Sequence, residues 1–247
     1  MAVSLENGSD GINLGVVTVT KNRTALTGMA WVRFRSIASA TTTKVCGYSI
    51  GTNAANSRFT MQWASGTPGR LQAAGRAADA DNLRGILSPT TLIAGPWFHL
   101  VGIVDYENTL GAIYINGALD TSGPLDGTFT TAVTANTNSL GAAIGSREGG
   151  NGTQGMNGDI EDFRLYDGVL GPNEIQTIYA AQGKDGYYAH LLHRYQLDDL
   201  GLGEALVGAA CLADTERIVG VPIGTPTFTA GISTPRGRQK HPRARGR

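Results

Sequence analysis

The 247-residue sequence has only two cysteines, Cys46 and Cys211, far apart in the chain. Neither has a second Cys or a His at ligand spacing, which argues against a zinc site. Their neighbours Val45, Gly47, Ala210 and Leu212 suit two buried thiols, with a disulfide as the alternative. Charged residues make up 16% of the chain and aromatics 7%. Helical bundles need more charge than this for their wet faces, so the composition points away from them. No run approaches the ~20 apolar residues that cross a bilayer as a helix. The N-terminus has neither a basic nor an apolar segment, so we expect a chain made in the cytoplasm without a signal peptide. There is no Gly-x-Ser-x-Gly elbow and no phosphate loop ending in Lys-Ser or Lys-Thr, although glycine numbers 35.

The net charge is zero, from 20 basic and 20 acidic residues, which excludes a uniformly basic nucleic-acid binder. The balance hides an asymmetry. Arg236, Arg238, Lys240, Arg243, Arg245 and Arg247 lie in residues 236–247, a stretch without acid. Residues 1–235 are left with 14 bases against 20 acids. A twelve-residue tail fully extended reaches roughly 40 Å. It is either a solvated appendage or a strap on an acidic surface, which another copy's body would offer. Bases without interleaved aromatics bind nucleic acid only non-specifically, so specific nucleic-acid binding is not expected.

What is present is strand periodicity between Gly-, Asn- and Thr-rich turns. In 29–36, Ala30, Val32 and Phe34 face one way and Trp31, Arg33 and Arg35 the other. In 58–64, Phe59, Met61 and Trp63 alternate with Arg58, Thr60 and Gln62. Period two with one wet face predicts a half-buried antiparallel sheet. Residues 97–105 are more continuously apolar, as in a central strand. Residues 110–116 and 160–167 add two more, and Asn116-Gly117 marks a tight turn. The polar stretch 145–158 is either a recognition loop or a plain connector. Pro172, Glu174 and Gly183 frame one short helix over about 172–182, with Ile175, Ile178 and Tyr179 on one face. Pro222 and Pro226 confine the late segment to edge or extended structure.

Three blocks carry a family resemblance. They are Gly95-Pro-Trp97-Phe-His99 with Ala112-Ile-Tyr114-Ile-Asn116-Gly117, Asn157-Gly158-Asp-Ile160-Glu-Asp162-Phe-Arg164-Leu-Tyr166, and Leu170-Gly-Pro-Asn-Glu174-Ile175. In order and spacing they resemble the laminin-G-like members of the concanavalin A-like lectin/glucanase jelly rolls, over roughly residues 3–183. The resemblance implies an all-β, antiparallel two-sheet jelly-roll sandwich with one short helix. In many such proteins an aromatic-x-Leu-Asp-Asp segment and a Pro-Thr-Phe strand open the chain. Here Tyr195-Gln-Leu197-Asp198-Asp199 and Pro226-Thr227-Phe228 close it. The order is therefore read as circularly permuted, with 187–235 completing the sandwich of the same or a neighbouring copy. That makes 1–235 one domain and 236–247 a basic tail.

Candidate sites follow. Asp159-Ile-Glu161-Asp162 is the one dense acidic cluster on a predicted strand, but Phe163 and Arg164 stand where the related glucanases continue their acidic strand. No enzyme is expected. His190 and His193 face opposite sides of a strand and make poor co-ligands, while His99 reads as a core histidine. No cofactor is certain. The resemblance makes one structural calcium conceivable at Asp10 and Asp162, against hydrogen-bonded carboxylates that pin turns. Trp63, Tyr106 and Tyr48 are candidate sugar-stacking rings, against a core role for each. The lack of a signal peptide, the standalone domain and the strap-like tail favour a non-enzymatic assembly protein and, by analogy with the family, a phage virion surface component (a capsid decoration protein or a tail adhesin). Its partners would be other copies or an acidic capsid surface. The alternative is a lectin module for glycans or cell surfaces. No membrane partner is expected.

Overall fold

The computed structural model describes residues 2–6, 10–37, 43–50, 57–63, 66–130, 133–138, 141–147, 154–187, 189–195, 197, 221–223 and 227–229. Only the backbone is described for 43–44, 46–50, 57, 221–223 and 227–229. The Tyr48 side chain, Cys211 and the basic tail with Arg236, Arg238, Lys240, Arg243, Arg245 and Arg247 lie outside the described residues.

The strands in chain order are β1 (Ala2–Leu5), β2 (Gly11–Gly15), β3 (Ala25–Phe34), β4 (Thr43–Ile50), β5 (Ser57–Trp63), β6 (Arg70–Gly75), β7 (Arg84–Thr91) and β8 (Trp97–Asp105). They continue with β9 (Leu110–Ile115), β10 (Ala118–Pro124), β11 (Ala142–Ile144) and β12 (Gly158–Asp167). After the helix α1 (Pro172–Ala181) come β13 (Leu191–Tyr195), β14 (Val221–Ile223) and β15 (Thr227–Thr229). One sheet runs β10-β9-β8-β3-β12-β1-β15, with β13 also on β12. The other runs β14-β2-β11-β4-β5-β6-β7. The two pack as a jelly-roll sandwich, and all the strand pairings are antiparallel.

The alternation in β3 and β5 builds the core. Ala30, Val32 and Phe34 meet Phe59, Met61 and Trp63 between the sheets, and Phe34 and Trp63 touch edge to face at 4.6 Å. The opposite faces depart in part from the period-two expectation, because Trp31 on β3 and the whole of that face on β5 are buried, while Arg33 and Arg35 keep about a third of their side-chain surface in solvent. On β5, Arg58, Thr60 and Gln62 are all buried. Arg58 donates to Thr20 Oγ1 (2.6 Å) and to the carbonyls of Val17 and Thr137. Among the described residues no carboxylate touches it, and burial pushes its guanidinium down to about 10. On β3 the reason is α1. Ile175 and Ile178 close a second apolar cluster with Met29, Val101, Tyr114 and Tyr166 on the outer face of the first sheet. Pro172 starts that helix, the Gly171 N–H donates to Glu174 Oε2, and the left-handed Gln182 and Gly183 end it.

The late segment joins both sheets beside the N-terminal strands. Val3 pairs with Phe228 of β15, and Ile12 pairs with Pro222 of β14. Pro222 lies in an edge strand, as its missing N–H requires. β12 serves two partners on one edge. Gly158–Ile160 pair with β1 and Phe163–Tyr166 with β13. Between them Asp162 turns left-handed (φ 48°), and the register to β3 shifts there. This bulge hands the edge from the first strand of the chain to a late one.

Candidate functional site

The outer face of the first sheet is left uncovered by α1 at one end, and there a row of polar side chains crosses four strands. Backbone register aligns Ser4, Asp159, Arg33 and Trp97 on β1, β12, β3 and β8. Asp159 is fully buried. Its Oδ2 accepts from Arg33 Nε (2.8 Å) and Nη2 (2.7 Å), and its Oδ1 accepts from Arg35 Nη2 (2.6 Å). Arg35 also donates to Ser4 Oγ. The two arginine side chains keep 33% and 36% of their surface in solvent, against 0% for Asp159. The row therefore presents cations outward and hides the anion that positions them. The Arg33 guanidinium lies 5.3 Å from the Trp97 ring centroid, and Trp97 is half-buried. Gly95 and Pro96 beside it are exposed, and the Gly95 N–H donates to the Phe34 carbonyl at 2.8 Å. The 145–158 stretch is tied to the same end. Arg35 N–H donates to the Asn157 carbonyl (2.9 Å), and Met156 N–H to the Gly145 carbonyl (2.9 Å).

One row inward, register aligns Glu161, Trp31 and His99; the His99 N–H donates to Asn116 Oδ1, and the Asn116 N–H donates to the His99 carbonyl. Tyr179 of α1 lies over this row. Its ring stacks on Trp31 (5.4 Å, 21°) and stands 5.8 Å from His99, and Trp31 and His99 are 5.1 Å apart. Burial, reinforced by the nearby Arg164 charge, pushes His99 down to about 4, so the ring is neutral at pH 7.

Beyond this row lies a buried charge network. Asp162 accepts from Arg164 Nη2 (2.5 Å) and Arg194 Nε (2.7 Å). Asp185 receives both Nη groups of Arg164 at 2.7 Å each. Arg194 also donates to the Gly183 carbonyl (2.7 Å). Burial alone would raise the Asp185 carboxyl, but the Arg164 hydrogen bond and charge outweigh it and hold it below the usual range.

Several expected sites are corrected by this geometry. Trp63 is 1% exposed and packs on Phe34, so its ring offers no face to a sugar. Tyr106 is fully buried against Phe129, and its hydroxyl donates to the Arg58 carbonyl. For calcium, Asp10 and Asp162 are spent separately. Asp10 Oδ2 accepts the Glu6 N–H at 2.7 Å across the β1–β2 return. Asp162 sits between two guanidiniums, which repel a second cation. Among the described residues no three His, Cys, Asp or Glu gather as a metal site would need. The acids of 159–162 divide between two arginine anchors rather than forming a pair across a cleft. Arg33, Arg35 and Trp97 were visible in the sequence only as strand residues. Their signal was the Arg-x-Arg spacing on one strand face and a tryptophan beginning a strand after Gly-Pro.

A family model described as the concanavalin A-like lectin/glucanases superfamily matches residues 6–176. The chain belongs to that superfamily. Solved structures share its sandwich at low identity. A candidate carbohydrate-binding protein of Bacteroides ovatus superposes with a TM-score of 0.63 at 17% identity, over 93% of this chain. This chain spans 60% of the length of that protein. The carbohydrate-binding module of a Ruminococcus gnavus sialidase, bound to α2,3-sialyllactose, gives a TM-score of 0.53 at 17% identity, covering 71% of this chain and 96% of the module. Domain 4 of an arabinanase from Geobacillus stearothermophilus, in complex with arabinotriose, gives 0.50 at 21% identity, covering 72% and 76%. These likenesses establish the fold. No curated protein sequence matches the chain significantly.

Proposed function

We propose that this superfamily member is a non-catalytic glycan-binding module that holds sugar at the row Trp97–Arg33–Asp159, with Arg35 beside it. The observation that supports this reading most is the half-buried Trp97 indole next to two solvent-facing arginines whose counter-ion is buried. Sugar C–H faces stack on such rings, and guanidinium N–H groups donate to hydroxyl oxygens. Asp159 fixes both arginines, so binding orders little that is not already in place. Structural neighbours described with sugars, from the sialidase module to the arabinanase domain, favour the same class. In this reading residues 1–235 form one permuted domain that presents the site.

The other reading, a virion surface component strapped to an acidic partner or to another copy by residues 236–247, rests on the tail's charge. None of the neighbours reported above is of that kind, so the glycan reading is preferred. A glycan array probed with the full chain and with Trp97→Ala tests it. Binding by the wild type that falls at least about tenfold in the variant is expected for a lost aromatic platform. No binding by the wild type, or equal binding by both, overturns it.

A further inference from the structure

We propose that the row inside the rim, Trp31 and His99 beneath Tyr179, is an inner subsite that takes one hydroxyl group of the bound sugar. The inference rests on the glycan-binding reading and extends it inward by one row of the same sheet face. Trp31 Nε1 and His99 Nδ1 are both buried, and among the described residues neither has a hydrogen-bond partner. Each such atom forfeits its hydration without return. The pair is complementary. An indole N–H only donates, and a neutral imidazole presents one ring nitrogen as an acceptor. A hydroxyl accepts from the first and, with the His99 proton on Nε2, donates to the second at once. An ammonium would bring no acceptor for Trp31.

The rest of the row is built to hold the two rings in place. His99 N–H donates to Asn116 Oδ1 at 2.9 Å, and Asn116 N–H returns to the His99 carbonyl at 2.8 Å. Gly117 follows with φ 77°, and a Cβ there would lie 2.7 Å from Tyr179 Cδ1. The glycine thus makes the seat on which the Tyr179 ring rests over Trp31. Tyr179 is half-buried and stands in the last turn of α1, one turn from the left-handed Gln182. Tyr179 contacts both rings from α1, so it is the side chain that would have to swing aside for a ligand to reach them. The Trp97 end of the rim lies two residues along β8 from His99, so a sugar stacked there can reach inward.

The test uses the full chain labelled with 15N, whose three indole N–H signals come from Trp31, Trp63 and Trp97. The probes are α2,3-sialyllactose, arabinotriose and cellotriose. The expected result is that a sugar shifting the Trp97 signal also shifts Trp31, while Trp63 stays. Trp31→Phe, which keeps a ring but loses the N–H, then weakens binding about fivefold or more. A sugar that shifts Trp97 and binds Trp31→Phe as tightly as wild type overturns the inner subsite and leaves the rim reading standing. Absence of binding by all three probes counts against both. Should Trp31→Phe fail to fold, Tyr179→Ala replaces it. Removing the lid raises the association rate if the subsite is used, and an unchanged rate overturns it.

Discussion

Asp162 gives the sharpest stability test. Its carboxylate is the shared counter-ion of Arg164 and Arg194, and all three side chains are almost wholly buried. Asp162→Asn keeps the shape and removes the charge. Breaking a buried ion pair by removing one partner costs about 3–5 kcal/mol. The lower end applies here, because Asp185 still holds Arg164 through two bonds of 2.7 Å and the Gly183 carbonyl still holds Arg194 at 2.7 Å. In a chain of this size each kcal/mol moves Tm by about 2–4 °C, so about 3 kcal/mol lowers it by roughly 6–12 °C. Calorimetry at pH 7 reads this directly. Arg194→Met, and the double variant, complete a cycle whose coupling should exceed about 1 kcal/mol. A Tm within about 2 °C of wild type for Asp162→Asn would refute the reasoning. A chelator that lowered the wild-type Tm but left the variant unchanged would show that the carboxylate holds a metal instead.

Other predictions concern the same face and the chain's closure. His99 is held neutral down to about pH 4 in the fold, whereas in the unfolded chain it takes up a proton near 6.5. Its contribution is therefore complete above pH 6.5 and is lost as pH falls towards 4, by about 3 kcal/mol. Urea unfolding of His99→Gln across that range should show a flatter pH dependence, and identical slopes would refute the assignment. Gly117→Ala meets a positive φ and the Tyr179 ring at 2.7 Å, so we expect a loss of about 1–3 kcal/mol in denaturant unfolding. Removing residues 187–247 strips β13, β14 and β15 from β12, β2 and β1. The 1–186 fragment should lack a cooperative transition, and a folded fragment would contradict the closure by late strands.

The sandwich was legible because its inner faces alternate strictly. Phe59, Met61 and Trp63, or Ala30, Val32 and Phe34, declare a buried face by spacing alone. The helix was legible from Pro172 and Gly183. The outer faces were not legible, because what covers them comes from elsewhere in the chain. Trp31 alternates with core residues and so read as wet, yet Tyr179 and α1 close over it. Arg58 likewise lies on a polar face that turns from β2–β3 and residues 133–138 bury. The candidate site was missed for the same reason. Arg33, Asp159 and Trp97 are distant in sequence, and only the register of three strands sets them in one row. The bulge at Asp162 left no signal either, since a left-handed aspartate follows from which strands pair there rather than from local composition.

The claim that most needs testing is that sugar contacts the rim and not the core aromatics. Crystals soaked with a glycan selected on the array decide it. The account predicts the sugar ring lying against the Trp97 indole, with hydroxyls on Arg33 or Arg35. A sugar seated on the opposite sheet, or on an edge away from Trp97, would contradict it.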